Sequence, residues 1–249
     1  MKPAEWHAQY LRQADWTRPT RTTLYQQANL SRATRVVDVG CGTGAITEEL
    51  AASTPGEVIG VDIDTEVLAF ARAQKGKADY RWGDAHALDF PDGHFDAAAC
   101  HFTLLWCRDP GQAAAEMVRV TRPGGAVLVC AEPDYGGRID FPPLPIAAWQ
   151  AEALRREGAD PTLGRRLRAL FAPHGVDVQI GLMPGMWDLL ALRAEFDAEW
   201  AVWEHSLANL VPAAELARVQ AEDWAAIEAG TRLAFVPVFY AFGRVRPST

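Results

Sequence analysis

Apolar positions along the chain change period repeatedly, and the changes set out an α/β fold. Val36, Val37 and Val39 make a short β-branched run that ends in Gly40, Gly42 and Gly44 on alternate positions. AITEELAAS, residues 45–53, then carries its apolar residues at helical spacing, so the glycines join a strand to a helix. A second run, EVIGVDID at 57–64, is followed by the helical pattern TEVLAFARAQ, and RWGDAHALDFPDGHFDAAACHF leads into a fourth strand at FDAAACHF. The amphipathic stretch beginning QAAAEMVRV is stopped by Pro123, turned through Gly124-Gly125 and followed by a fifth strand. VDVQIGL and AFVPVFYAFGRV predict a sixth and a seventh. Strands alternating with helices predict a sheet covered on both faces.

Two regions exceed this alternating core. Residues 1–33 read as one or two amphipathic helices, an N-terminal lid carrying Tyr10, Trp16 and Arg21. The main domain is then 34–249, with cap insertions at about 133–174 and 186–232 on either side of the sixth strand. In EPDYGGRIDFPPLP, Gly136-Gly137 with Pro142, Pro143 and Pro145 make a substrate-side loop ahead of the helix IAAWQAEALRREG. Two further helical patterns, DLLALRAEFDAEWAVWEHSLANL and PAAELARVQAEDWAAIEAG, complete the cap.

Composition narrows the partners. A formal charge of -8, from 24 basic and 32 acidic residues, disfavours binding to a phosphate backbone. Cys41, Cys100, Cys107 and Cys130 form no C-x-x-C pair and sit in or beside strands, as small hydrophobes of a reducing compartment. Nowhere do eighteen apolar residues run together. The expectation is a cytoplasmic monomer or homodimer acting on a small molecule, with no nucleic acid or membrane partner.

The glycine turn is the chemically informative feature. It strips side chains from the junction, so backbone can touch a ligand at the positive end of the following helix. Gly40-x-Gly42-x-x-Ala45 also fits the dinucleotide pattern, with Asp62 at the spacing of a ribose-binding acid. Asp38, two residues before the first glycine, argues against a pyrophosphate and for a cationic amino group. Taken singly, the turn could be only a tight connection, Asp62 a cap for the next helix, and Asp84 a turn residue.

From about residue 34 to 132 the order of these signals resembles the class I S-adenosylmethionine-dependent methyltransferases, in the type 11-like small-molecule group. The resemblance implies a Rossmann-like seven-stranded sheet in the order 3-2-1-4-5-7-6, strand 7 antiparallel, with helices on both faces and a helical cap. It implies S-adenosylmethionine as cofactor and S-adenosylhomocysteine as product. Gly40, Cys41, Gly42 and Gly44 would lie along the methionyl and ribose portion, with Asp38 near the amino end. Asp62 would take both ribose hydroxyls and Ile63 one adenine face, while Gly83, Asp84 and Ala85 would meet the adenine edge. Tyr10, Trp16, Arg21 and His101 complete the expected cofactor contacts.

For catalysis, His101 after the fourth strand and Asp134 and Tyr135 after the fifth are the candidate proton acceptors. Trp106, Tyr135, Arg138 and Trp149 are the candidate acceptor contacts. Most of the cap tryptophans are expected to pack, and Trp16, Trp106 and Trp149 to edge the pocket. Phe102, Leu105 and Trp106 stand where metal-assisted relatives carry acids, so no magnesium site is expected. The expected activity is methyl transfer to an O, N, S or C nucleophile on a small, apolar or aromatic metabolite. The alternatives are an NAD-linked oxidoreductase and a relative that binds the cofactor without catalysis.

Overall fold

A computed structural model of the protein describes residues 2–183 and 187–247; residue 186, where the second cap segment was expected to begin, and the chain's first and last residues lie outside these. The sheet contains β1 (Arg35–Val39), β2 (Glu57–Asp62), β3 (Asp79–Trp82), β4 (Phe95–Cys100), β5 (Thr121–Pro133), β7 (Gln179–Leu182) and β9 (Val238–Arg244). Their order is β3-β2-β1-β4-β5-β9-β7. β6 (Ile139–Phe141) and β8 (Leu233–Phe235) pair with each other in a separate antiparallel ribbon. With the ribbon left out of the count, the sheet has the expected order 3-2-1-4-5-7-6, and its last strand in sequence runs antiparallel to both neighbours. The ribbon itself was not foreseen: Ile139–Phe141 falls in the proline-rich loop, and AFVPVFYAFGRV divides at Val236 and Pro237 between two sheets.

The two-residue period of β1 explains the layering. Val36 faces one core with Leu24, Leu50 and Leu128, whereas Val37 and Val39 face the other with Met117, Leu167 and Phe171. The first layer holds α1 (Pro3–Ala28) and α2 (Ala45–Ser53), and the second holds α4 (Pro110–Val120) and α6 (Leu167–Phe171). α3 (Thr65–Ala73) is capped by Asp64, whose carboxylate accepts from the backbone of Glu66 and Val67. Asp62 is thereby relieved of the capping role.

The leader forms one helix of 26 residues. Arg21, fully buried, fastens it: Nε and Nη2 donate to Glu49 on α2 at 2.9 and 2.5 Å, and Nη1 donates to the Ala14 carbonyl at 2.7 Å and to Thr17 Oγ1. The guanidinium is therefore committed to the α1–α2 contact, which corrects its expected role beside the cofactor. α5 (Ile146–Arg156), α7 (Leu189–Leu207) and α8 (Ala213–Glu228) build a separate apolar core around Ile146, Trp200, Trp203 and Val219. No helix among the described residues is long and apolar enough to cross a membrane.

Candidate active site

Where β1 and β2 end, the backbone forms a cradle. Gly40 and Cys41 both donate to the Val61 carbonyl, at 2.8 and 3.0 Å, which curls the turn over the end of β2. Gly40 has φ +72°, and a Cβ there would meet Thr103 Cγ2 at 2.2 Å, so glycine is required twice over. At Gly42 the nearest atoms are on the Tyr10 ring, 3.5 Å from such a Cβ. The Cys41 side chain instead packs beneath the turn with Leu68, Ala71 and Tyr80, so its contribution is support, not contact.

Asp62 closes the cradle. Its Oδ2 accepts from Gly42 N–H at 2.8 Å and its Oδ1 from Asp64 N–H at 2.9 Å, which fixes the carboxylate plane and leaves each oxygen a further lone pair. Ile63 and Trp82 stand beside it, each 61% exposed, as an apolar slot for a flat ring. Gly83 donates to the Asp62 carbonyl at 3.0 Å. Asp84 Oδ1 accepts from the backbone of His86 at 2.9 Å and from its Nδ1 at 2.6 Å, while His86 Nε2 accepts from Asp109 N–H at 3.2 Å. These partners assign the His86 proton to Nδ1 and hold the Asp84 carboxyl below the usual carboxylate range, chiefly through the backbone bond. Sequence reasoning missed His86 as the residue that orients Asp84, because its turn looked exposed.

Asp38 is fully buried beneath the turn, and Thr47 Oγ1 donates to it at 2.7 Å. Burial raises its pKa to about 7, against the Thr47 bond and with help from the charge of Asp62. Tyr10 lies within electrostatic range of Asp62 and Asp64, and burial foremost raises its phenol pKa. Glycine backbone, a buried acid, a fixed carboxylate and an apolar slot fit the amino acid, ribose and purine of S-adenosylmethionine. Asp38 makes this fit testable: below pH 7 it is largely neutral and cannot attract an ammonium, so affinity for S-adenosylhomocysteine should rise about tenfold from pH 6 to pH 8. Calorimetric titration across that range checks this, and Asp38→Asn should flatten the profile.

Beside the cradle lies a cavity of about 510 Å³ between α1, α5, α7 and the β6–β8 ribbon. Trp16, Trp106, Tyr135 and Arg138 line it, together with Phe102, Trp187 and Trp203. Trp16, expected beside the cofactor, packs edge-on against Trp187 at 4.7 Å on this wall. Trp149 is not among the lining residues; it packs into the cap core with Leu144 and Phe196. Phe102 has φ +53°, a conformation rare for a bulky residue, and the reason lies next door. Buried Glu132 accepts from the N–H groups of Thr103, Leu104 and Leu105 at 2.8, 2.6 and 3.4 Å, pinning the loop that carries Phe102. Burial pushes the Glu132 carboxyl up to about 8. Its sequence signal was an acid inside the apolar strand AVLVCAEP.

The three proposed proton acceptors fare differently. Both Asp134 oxygens are held by Arg165, at 2.5 and 2.6 Å, and Asp134 is not among the cavity-lining residues. His101 Nε2 lies 3.0 Å from Thr17 Oγ1, and burial presses its pKa well below the usual imidazole range. It therefore stays neutral and ties α1 to the end of β4. Tyr135 lines the cavity, with its phenol raised by burial and so kept as a hydrogen-bond donor.

Parallel strands carrying a glycine cradle and terminal acids at the switch between β1 and β4 define a Rossmann-like domain for a nucleoside-bearing cofactor. Residues 37–129 match the family described as "Methyltransferase domain". An uncharacterized methyltransferase of Schizosaccharomyces pombe is 33% identical over 168 residues, 61% of this chain and 60% of that protein. The malonyl-[acyl-carrier protein] O-methyltransferase of Yersinia pestis is 35% identical over 115 residues, 46% of this chain and 43% of the enzyme. The chain thus matches about half the length of such relatives. Among solved structures, the [4+2]-cyclase SpnF superposes with a TM-score of 0.62 at 21% identity, covering 93% of this chain and 82% of the cyclase.

Proposed function

We propose that this protein transfers a methyl group from S-adenosylmethionine to a small, largely apolar or aromatic metabolite. The observation that carries this is the continuity of cradle and cavity through one loop. Thr103 packs on Gly40 in the cradle, and its neighbour Phe102 lines the cavity. From the other side, Tyr10 covers Gly42 while Trp6, Gln9, Gln13 and Trp16 of the same helix line the cavity. When bound, the cofactor supplies a methyl group on a cationic sulfur that leaves as a neutral thioether.

The chain's part is then positioning and exclusion of water. Asp38 would face the amino end of the donor and Asp62 its ribose, with α1 lying over both. Tyr135 offers a neutral hydroxyl to the acceptor. The Yersinia pestis relative's name specifies malonyl-[acyl-carrier protein], yet its match covers under half of this chain, so that acceptor is not carried over.

A nicotinamide dinucleotide suits the cradle poorly, since its pyrophosphate would lie over the buried Asp38 carboxyl. The cavity of about 510 Å³ beside the cradle gives an acceptor a place to bind, which favours a catalytic reading over a binder of the cofactor alone. Calorimetric titration of the purified protein with S-adenosylhomocysteine, and with NADH as control, tests the proposal. Micromolar binding of the first and none of the second is expected; the reverse, or binding of neither, overturns it.

A further inference from the structure

The cavity wall carries an acid that the methyl transfer described above leaves unused. Its two inner arginines are already matched: Arg138 donates to both Asp140 oxygens, at 2.8 and 3.2 Å, and Arg232 bridges Asp140 and Asp223. Glu199, deep in the molecule on α7, faces the same space. Among the described residues its one hydrogen bond comes from Gln9 Nε2, at 3.3 Å to Oε1. One helical turn earlier, Glu195 Oε2 is buried without a hydrogen bond, and Arg12 Nε stands 3.8 Å away. The other groups whose charge reaches Glu199 are Arg12 on α1, Arg138 at the start of the ribbon and Tyr135 after β5. Two carboxylates thus face Arg12, which pairs with Glu195 at 3.8 Å, and Arg138, whose guanidinium is already bonded to Asp140.

Acid in this position has an aromatic surround. Trp16, Trp106 and Trp187 line the same space, beside Trp203 whose ring already carries the Arg138 guanidinium at 5.2 Å, and indole faces attract cations more strongly than other aromatic rings do. An anionic acceptor would add negative charge beside Glu199 and Glu195, while a neutral hydroxyl could offer Glu199 one hydrogen bond without balancing its charge. A cation satisfies both the carboxylate and the rings.

We infer that the methyl acceptor is an amine, a small apolar or aromatic body seated among the tryptophans with its basic nitrogen against Glu199. The inference rests on the methyl-transfer reading and names its substrate class. The amine enters as an ammonium, and Glu199 takes one proton from it, freeing the nitrogen lone pair. That pair attacks the methyl carbon; the N–C bond forms as the S–C bond breaks, and the electron pair of the broken bond stays on sulfur. The positive charge passes from sulfur to nitrogen, and the proton on Glu199 returns to solvent.

The test is calorimetric binding to the full chain saturated with S-adenosylhomocysteine, using matched sets such as tryptamine, tryptophol and indole-3-propionate, and phenethylamine, 2-phenylethanol and 3-phenylpropionate. Amines should bind at least tenfold more tightly than their alcohols, and carboxylates most weakly. Glu199→Gln should erase that tenfold preference while leaving affinity for the alcohols and for S-adenosylhomocysteine unchanged. Equal or stronger binding of alcohols or carboxylates, no binding of any amine to protein that binds S-adenosylhomocysteine, or an amine preference that survives in Glu199→Gln overturns the inference. If Glu199→Gln fails to fold, the ranking on the unaltered protein decides alone. Failure of S-adenosylhomocysteine itself to bind instead overturns the methyl-transfer reading beneath it.

Discussion

Asp62→Ala should raise the dissociation constant for S-adenosylhomocysteine by at least about tenfold. Hydrogen bonds to an ionised acceptor contribute about 1.5–3 kcal/mol each, and a ribose diol placed on Asp62 would lose two of them. The carboxylate is set for that role because Gly42 N–H and Asp64 N–H, at 2.8 and 2.9 Å, fix its plane and occupy one lone pair of each oxygen. Asp62→Asn keeps the shape but replaces one acceptor by a donor, so its loss should be intermediate. Calorimetric titration of both variants measures the effect, and unchanged affinity in Asp62→Ala would remove Asp62 from the ribose site.

The second large effect concerns the cap. Arg232 is buried and joins Asp140 of β6, at 2.6 Å, to Asp223 of α8; Arg138 also holds Asp140, and Trp200 Nε1 donates to Asp223 at 2.9 Å. Arg232→Met would leave Asp140 with Arg138 as its cation and buried Asp223 with the Trp200 indole but no cation. Removing one partner of a buried ion network costs about 3–5 kcal/mol, because the remaining charge is desolvated and unpaired. In a chain of this size that lowers the melting temperature by roughly 6–20 °C. Thermal unfolding followed by circular dichroism would show it, and Asp223→Leu added to Arg232→Met should recover part of the loss. A melting temperature within about 2 °C of the parent would mean that the network contributes little to stability.

The sheet was legible because each core strand announces itself locally. Val36, Val37 and Val39, and FDAAAC, are short apolar runs of strand length, and the turns between them carry glycine and proline that interrupt regular elements. The cradle was legible for a related reason: Asp38, the alternate glycines and Asp62 lie within one strand–turn–helix–strand unit, so their spacing in sequence nearly fixes their spacing in space. The β6–β8 ribbon was not legible. Ile139–Phe141 and Leu233–Phe235 are three residues each and lie some ninety apart, and their pairing depends on Arg232 and Asp140 meeting across that distance.

The cavity wall was legible only in its residue types. A surplus of tryptophan in the cap appears in the sequence, but whether an indole packs or faces open space depends on helix crossings set by distant segments. Thus Trp149, expected at the pocket edge, belongs to the cap core, and Trp16, expected both beside the cofactor and at a pocket edge, lines the cavity against Trp187. Arg21 and Asp134 likewise met partners, Glu49 and Arg165, that no local pattern names.

By itself, then, the sequence determined the order of the core strands and helices and brought Asp38, the glycine turn and Asp62 to one end of the sheet, because short-range periodicity and turn chemistry act within a few residues. Only the tertiary structure decided which titratable groups are free to act. A charged side chain is committed or available according to what other segments bring within about 4 Å of it. Folding gives Arg165 to Asp134, Thr17 to His101 and Asp140 to Arg138, and leaves Glu199 facing the cavity with, among the described residues, one hydrogen bond, from Gln9.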